Sequence, residues 1–239
     1  MRSWILLFLT ILSPGCFAQD AFTQIDMARI PQEKIRTLLE QQFKESGFTQ
    51  YNSALQPTYH MGQNLKGYHY LESVYLFREA PEKVWKIYQM TSPAKSWNGS
   101  MVSFGLLISK WENSIMYRDD KYYAGIDTGQ VFFVNLKIMK GLYNMAVGLE
   151  IVNIDSTRKS ITFSYLKGGK SQGEQTIYFI PTKKGYTEIV HQTAFKGDSF
   201  IRDRYLYPYF HRIAINEFHR NMKKCIRQNK RMPFQKIRT

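Results

Sequence analysis

The spacing of apolar residues changes several times along this chain, and each change predicts an element. From Tyr70 to Arg78 apolar and polar positions alternate, as in a strand with one buried face. Ala80-Pro81 then marks a helix start, with Glu82 in the first turn and Val84-Trp85 on the buried side, over residues 81–91. Residues 94–109 have no usable period. Strand-like segments follow at close intervals: Ser114–Tyr117, Lys121–Ile126, Gln130–Met139, Ala146–Ile154, Ser160–Lys167, Glu174–Pro181 and Thr187–Lys196. Turn formers separate them, among them Asp127-Thr128-Gly129, Asp155-Ser156-Thr157 and Lys183-Lys184-Gly185. That spacing predicts an antiparallel meander.

Two helical stripes flank the meander. Pro31 opens a helix over residues 32–46, with Ile35, Leu38, Leu39 and Phe43 on one face and Gly47 closing it. Residues 48–69 are polar and aperiodic, an irregular connection with room for a short strand. The second stripe runs from about Asp203 to Gln228 and contains Phe210, Ile213, Ala214, Phe218, Met222 and Cys225. Pro208 sits near its first turns, so the segment before it is a kinked or separate turn. A long amphipathic helix after an antiparallel sheet docks on that sheet's concave face. The fold class is therefore α+β, a curved antiparallel sheet wrapped on a long C-terminal helix, with one extra N-terminal helix.

The order of strand, Ala-Pro-x-x-Val-Trp helix, meander and long terminal helix resembles the START-like helix-grip superfamily over residues 70–228. That superfamily includes lipid-transfer proteins, polyketide cyclases and pollen-allergen relatives. Pro81-Glu82-Lys83-Val84-Trp85 carries the sharpest match, and Phe163-Ser164-Tyr165 with Gly173-Glu174 is similar to a hairpin of the meander. The resemblance implies an internal cavity and an apolar or amphipathic ligand, and no fixed catalytic set. Residues 19–69 precede that domain and 229–239 follow it.

Residues 1–18 stand apart. Arg2, an apolar run from Trp4 to Leu12, a Ser13-Pro14-Gly15 break and Cys16-Phe17-Ala18 predict a signal peptide cut after Ala18. A lipid anchor on Cys16 is the alternative, as is a retained leader. The expectation is an exported protein, periplasmic or secreted. Loss of Cys16 with the leader leaves Cys225 as the one thiol, so no internal disulfide supports the fold. Composition adds two points. Aromatic residues reach 15%, which suits strands and apolar cavities. Of the net charge of +14, eight cations lie between Arg220 and Arg238 with no acidic residue; without these and Arg2 the remainder is +5. The basic character is mostly a tail, suited to an anionic membrane surface, although a solvated helix end accounts for it equally. Export argues against nucleic acid as the partner.

Candidate chemistry is sparse. His60, His69, His191, His211 and His219 fall at no metal-ligand spacing, with His211 and His219 eight apart on one helix. No Gly-x-Ser-x-Gly elbow is present, and Lys167-Gly168-Gly169-Lys170 is a turn rather than a phosphate loop. No cofactor is implied. On the strand from Thr187, His191 shares a face with Ile189, Thr193 and Phe195, and points inward if that face lines the cavity. A satisfied core histidine fits the same pattern. Glu174 shares a face with Thr176, Tyr178 and Ile180, opposite Gln175, Ile177 and Phe179; it either orients a ligand or pairs with a cation. Tyr165 offers a ring wall with one hydroxyl. Trp97, Trp111, Tyr122 and Tyr123 fall where helix-grip folds place their entrance, and Phe210 is the helix's contribution to ligand contact. The resulting expectation is a monomeric binding protein for a hydrophobic or amphipathic small molecule such as a lipid. The alternatives are a cyclase- or hydrolase-like enzyme using His191 or Glu174, which requires both to face one pocket, and an envelope interaction protein with a closed interior.

Overall fold

Eight antiparallel strands form one sheet, in the order β1-β8-β7-β6-β5-β4-β2-β3. The computed structural model describes residues 24–46 and 50–229; the leader at 1–18 and the basic tail beyond Asn229 lie outside them. The strands are β1 (His69–Phe77), β2 (Val102–Ser109), β3 (Ser114–Tyr117), β4 (Gln130–Ile138), β5 (Tyr143–Asp155), β6 (Ser160–Tyr165), β7 (Ser171–Pro181) and β8 (Thr187–Gly197). Helices α1 (Glu33–Ser46) and α2 (Tyr51–Ala54) precede β1, while α3 (Pro81–Met90) and α4 (Pro93–Ser96) connect β1 to β2. A π-helical turn, Arg202–Leu206, leads into the terminal helix α5 (Tyr207–Asn229). Pro208 follows that π-helical turn directly, and its missing N–H withdraws one backbone donor from the run of helical bonds there. No helix among the described residues is long and apolar enough to cross a membrane.

The inner face of the sheet is buried along its length, and the outer face is buried around β2 and β4. Against its inner face pack α3 and α5, with Trp85, Tyr88, Phe218, Met222 and Ile226 meeting Phe132, Phe163, Ile177, Phe179 and Phe195. The N-terminal segment covers the outer face, where Ile30, Ile35, Leu39, Tyr51 and Leu55 meet Leu106, Ile108, Val131, Phe133 and Leu166. The described residues between Ile25 and Leu55 are thus the cover of a second core, on the face opposite α5. A buried ion pair fastens that cover. Lys110 Nζ lies 2.7 Å from Glu150 Oε1 and donates to the Leu55 carbonyl at 3.0 Å. Burial pushes the Glu150 carboxyl up, and Lys110 opposes that shift.

Three local expectations change. Residues 94–109 resolve into α4 and β2, and every residue of β2 is buried. Covered on both sides, the strand has no alternation to display. The segment Lys121–Ile126 is not a strand, since the backbone N–H of Ile126 donates to Gln89 of α3 at 2.9 Å. Gly125 there has φ +116°, outside the strand range. Residues 50–68 hold α2 and a single bridge between Pro57 and Leu166, rather than a short strand.

Candidate functional site

Where α5 crosses the inner face, polar side chains from five elements join in one buried chain. Helical spacing of four places Tyr207, His211 and, two steps on, His219 on the same side of α5. Strand alternation points Gln175, Ile177 and Phe179 of β7 and Ile189, His191, Thr193 and Phe195 of β8 inward. His191 Nε2 lies 3.1 Å from Gln175 Oε1, and His191 Nδ1 lies 2.9 Å from His219 Nε2. His219 Nδ1 is 2.8 Å from the Tyr88 hydroxyl of α3. At the other end the Gln175 amide donates to the Tyr165 hydroxyl at 2.7 Å, which in turn bonds the Tyr207 hydroxyl. His211 Nε2 meets Thr193 Oγ1 at 2.9 Å, and the Tyr75 ring covers His219 at 4.2 Å.

The Gln175 amide fixes the direction of this chain. Its carbonyl only accepts, so His191 carries its proton on Nε2 and accepts through Nδ1 from His219 Nε2–H. His219 Nδ1 then accepts from Tyr88. Both rings are neutral, and burial explains why. Desolvation, aided by His211, holds His219 down to about 3; desolvation alone holds His211 at about 4. His191 is driven well below its ordinary value by burial and then by the two neighbouring histidines. Burial likewise raises the hydroxyls of Tyr88, Tyr165 and Tyr207. Rings so reluctant to take a proton are weak bases at neutral pH. Their nitrogens face one another, Gln175, Thr193 and Tyr88, and no metal-binding cluster occurs among the described residues.

Beside Tyr88 lies a cleft of about 30 Å³. Trp97, Tyr123, Ile126, Phe132, Phe163 and Phe218 form most of its apolar wall. The irregular segment 118–129 covers it, held by the Ile126–Gln89 backbone bond and by Gln130 Nε2 donating to the Gly125 carbonyl at 2.9 Å. The Tyr123 hydroxyl is buried there without a hydrogen-bond partner, and burial raises its pKa.

The sequence candidates separate into two groups. Tyr165 and His191 belong to the buried chain, and Trp97 lines the cleft, its ring stacked on Phe218 at 4.3 Å. Glu174 faces outward beside Tyr59 and Thr176, so it shares no pocket with His191. The alternative of a cyclase- or hydrolase-like enzyme using His191 or Glu174 required both to face one pocket, and they face opposite sides of the sheet. Glu174 also has no cation within ion-pair distance among the described residues; burial raises its carboxyl, and Thr176 and Tyr59 bonds oppose that. Trp111 is 69% exposed at the β2–β3 turn, against Gly129, and Tyr122 is exposed as well. Neither lines the cleft: Trp111 lies on the Gly129 end of the covering segment, and Tyr122 points to solvent where its neighbour Tyr123 points in. Phe210 falls on the flank of α5 against Tyr209, since the inner face is one residue further on, at His211. The sequence reading had placed Tyr123 beside Trp97 in the entrance region, and it missed the parts played by His211, His219, Gln175, Tyr88 and Tyr207. The signal available was the four-residue spacing from Tyr207, which a search for metal-ligand spacing passes over.

No protein-family model matches this chain, and no curated protein matches it by sequence. Solved structures do match in shape. A norcoclaurine synthase point mutant from Thalictrum flavum, in complex with a transition-state analogue, aligns with a TM-score of 0.50 and 10% identity. The alignment covers 68% of this chain and 96% of that one. A major latex-like protein from Panax ginseng aligns at 0.47 with 12% identity, covering 66% and 96%. A protein of Thermus thermophilus aligns at 0.47 with 12% identity, covering 67% and 99%. The likeness to the first establishes the helix-grip fold.

Proposed function

We propose that this protein binds a small hydrophobic or amphipathic molecule in the cleft between the sheet, α3–α4 and α5. One observation carries the reading: the Tyr123 hydroxyl, orphaned on a mostly apolar wall. A buried hydroxyl without a partner costs about 1–3 kcal/mol, and a ligand acceptor would recover that. At about 30 Å³ the cleft holds roughly one water, whereas ligand pockets span about 300–1,000 Å³. Uptake therefore requires segment 118–129 to swing away, a motion opposed by few backbone bonds. The filled interior argues against a lipid held permanently between sheet and helix. The leader-like residues 1–18 support export to the periplasm or exterior, which fractionation of native cells would test.

Saturable uptake of 2-naphthol, followed by quenching of Trp97 and Trp85 fluorescence, checks the binding reading. Tyr123→Phe is expected to lower 2-naphthol affinity about fivefold, leave naphthalene affinity unchanged and stabilise the free protein by about 1 kcal/mol. Absence of saturable uptake of either compound overturns the reading.

A further inference from the structure

We infer that one end of the sheet docks on an anionic lipid bilayer. In the antiparallel order, β4 and β8 finish, and β5 and β7 begin, at the same end. Two apolar projections leave from there. Around the π-helical turn, Phe200, Ile201, Tyr205, Leu206 and Tyr209 are each half or more exposed. At the β4–β5 turn, Met139, Leu142 and Tyr143 are each more than half exposed. Exposed apolar residues concentrated in two projections at one end of the sheet, on either side of the β6–β7 turn, differ from the singly scattered kind that needs no account. Tyr and Phe beside aliphatic chains suit the interfacial layer of a membrane.

Charge selects the occupant. Lys140, Lys167, Lys170, Lys196 and Arg204 are exposed in the turns at this end, and none has an ion pair among the described residues. Segments 137–143, 166–170 and 196–206 hold two acidic residues, Asp198 and Asp203. Both are engaged by Arg202, at 3.5 and 2.9 Å, and Asp203 also accepts the Gly197 N–H at 2.6 Å. Five uncommitted cations around an apolar tip complement a bilayer whose headgroups are anionic. A second copy of this chain would bring the same cations face to face. This surface is distinct from the basic tail, which begins beyond the far end of α5, and from the cleft.

The test is flotation of the full chain with vesicles of phosphatidylcholine alone and of equimolar phosphatidylcholine and phosphatidylglycerol. Binding is expected to the second and not the first. Replacing Phe200, Ile201 and Leu206 together by Ser is expected to lower partitioning about thirtyfold. Replacing Lys167, Lys170 and Lys196 by Ser is expected to lower it about fivefold per cation. All these side chains are exposed, and an unchanged circular dichroism spectrum confirms the variants fold. No binding to anionic vesicles overturns the inference. So does binding that survives the apolar triple variant, or that vanishes on removal of residues 230–239 alone. A dimer in the wild type that the triple variant dissolves would overturn it in favour of self-association.

Discussion

Acidification from pH 7 to pH 5 is expected to remove about 5 kcal/mol of folding stability, because three histidines are buried in neutral form. In the unfolded chain each titrates near 6.5, whereas His211 and His219 resist protonation until about 4 and 3 in the fold. Below pH 6.5 the unfolded chain therefore binds protons that the folded chain refuses, and stability falls with pH. Each histidine contributes about 2 kcal/mol by pH 5, with the loss continuing until the folded-state values are reached. The surroundings offer no relief. The rings face Tyr75, Tyr88, Gln175, Thr193 and Tyr207, and no carboxylate contributes to their shifts. Urea midpoints measured across this range give the answer, and a flat profile between pH 7 and pH 5 would falsify the account. His211→Gln keeps a partner for Thr193 and removes one titrating group, so the proton uptake on unfolding should fall by about a third.

Glu217→Ala is expected to cost about 4 kcal/mol. This α5 carboxylate is 8% exposed, and no cation among the described residues lies within ion-pair distance of it. Its Oε1 accepts from the Ser100 N–H at 2.7 Å and the Ser100 hydroxyl at 3.0 Å. Its Oε2 accepts from the N–H groups of Met101 and Val102 at 2.8 and 2.9 Å. Burial pushes the carboxyl up, but the N–H donors outweigh it and hold it below the usual range. Removing the side chain strands three backbone donors where the chain enters β2, each at about 1–3 kcal/mol less whatever solvent recovers. Glu217→Gln fares little better, because its amide end turns a donor toward donors. Gly99 records how close the carboxylate sits: a Cβ there would lie 2.1 Å from Glu217 Cδ. The depressed pKa makes this contribution complete above about pH 4.5 and lost as pH falls through the lower folded value, a window below that of the histidines. Chemical denaturation at pH 7 measures the effect. A loss under about 1 kcal/mol would show that water reaches residues 100–102.

Legibility along the chain follows burial geometry. β1 and β8 alternate in sequence because one side of each faces α5 and the other faces solvent or polar cover. β2 does not alternate, since Leu106 and Ile108 enter the outer core while Phe104 and Leu107 enter the inner one. The N-terminal helix was visible from its stripe, but its destination was not; nothing in Ile35 or Leu39 says which sheet face they cover. Glu174 and His191 show the same limit, since parity sorts residues within each strand and the pairing of strands decides whether two strands' inward sets coincide.

Local order in this protein is written in short-range spacing: the alternation of β1, the Ala80-Pro81 start of α3, the turn formers of the meander and the stripe of α5. These are properties of neighbours a few residues apart, and dihedral preference with one-sided burial is enough to set them. The site is assembled from residues far apart in sequence. Tyr88, Gln175, His191 and His219 come together only when α5 closes on the sheet, and that closure expels water and keeps the histidines neutral. The same packing left a cleft of about 30 Å³ where the sequence implied a container. Side-chain volumes summed across two faces decide that size, and no spacing within a single strand encodes it.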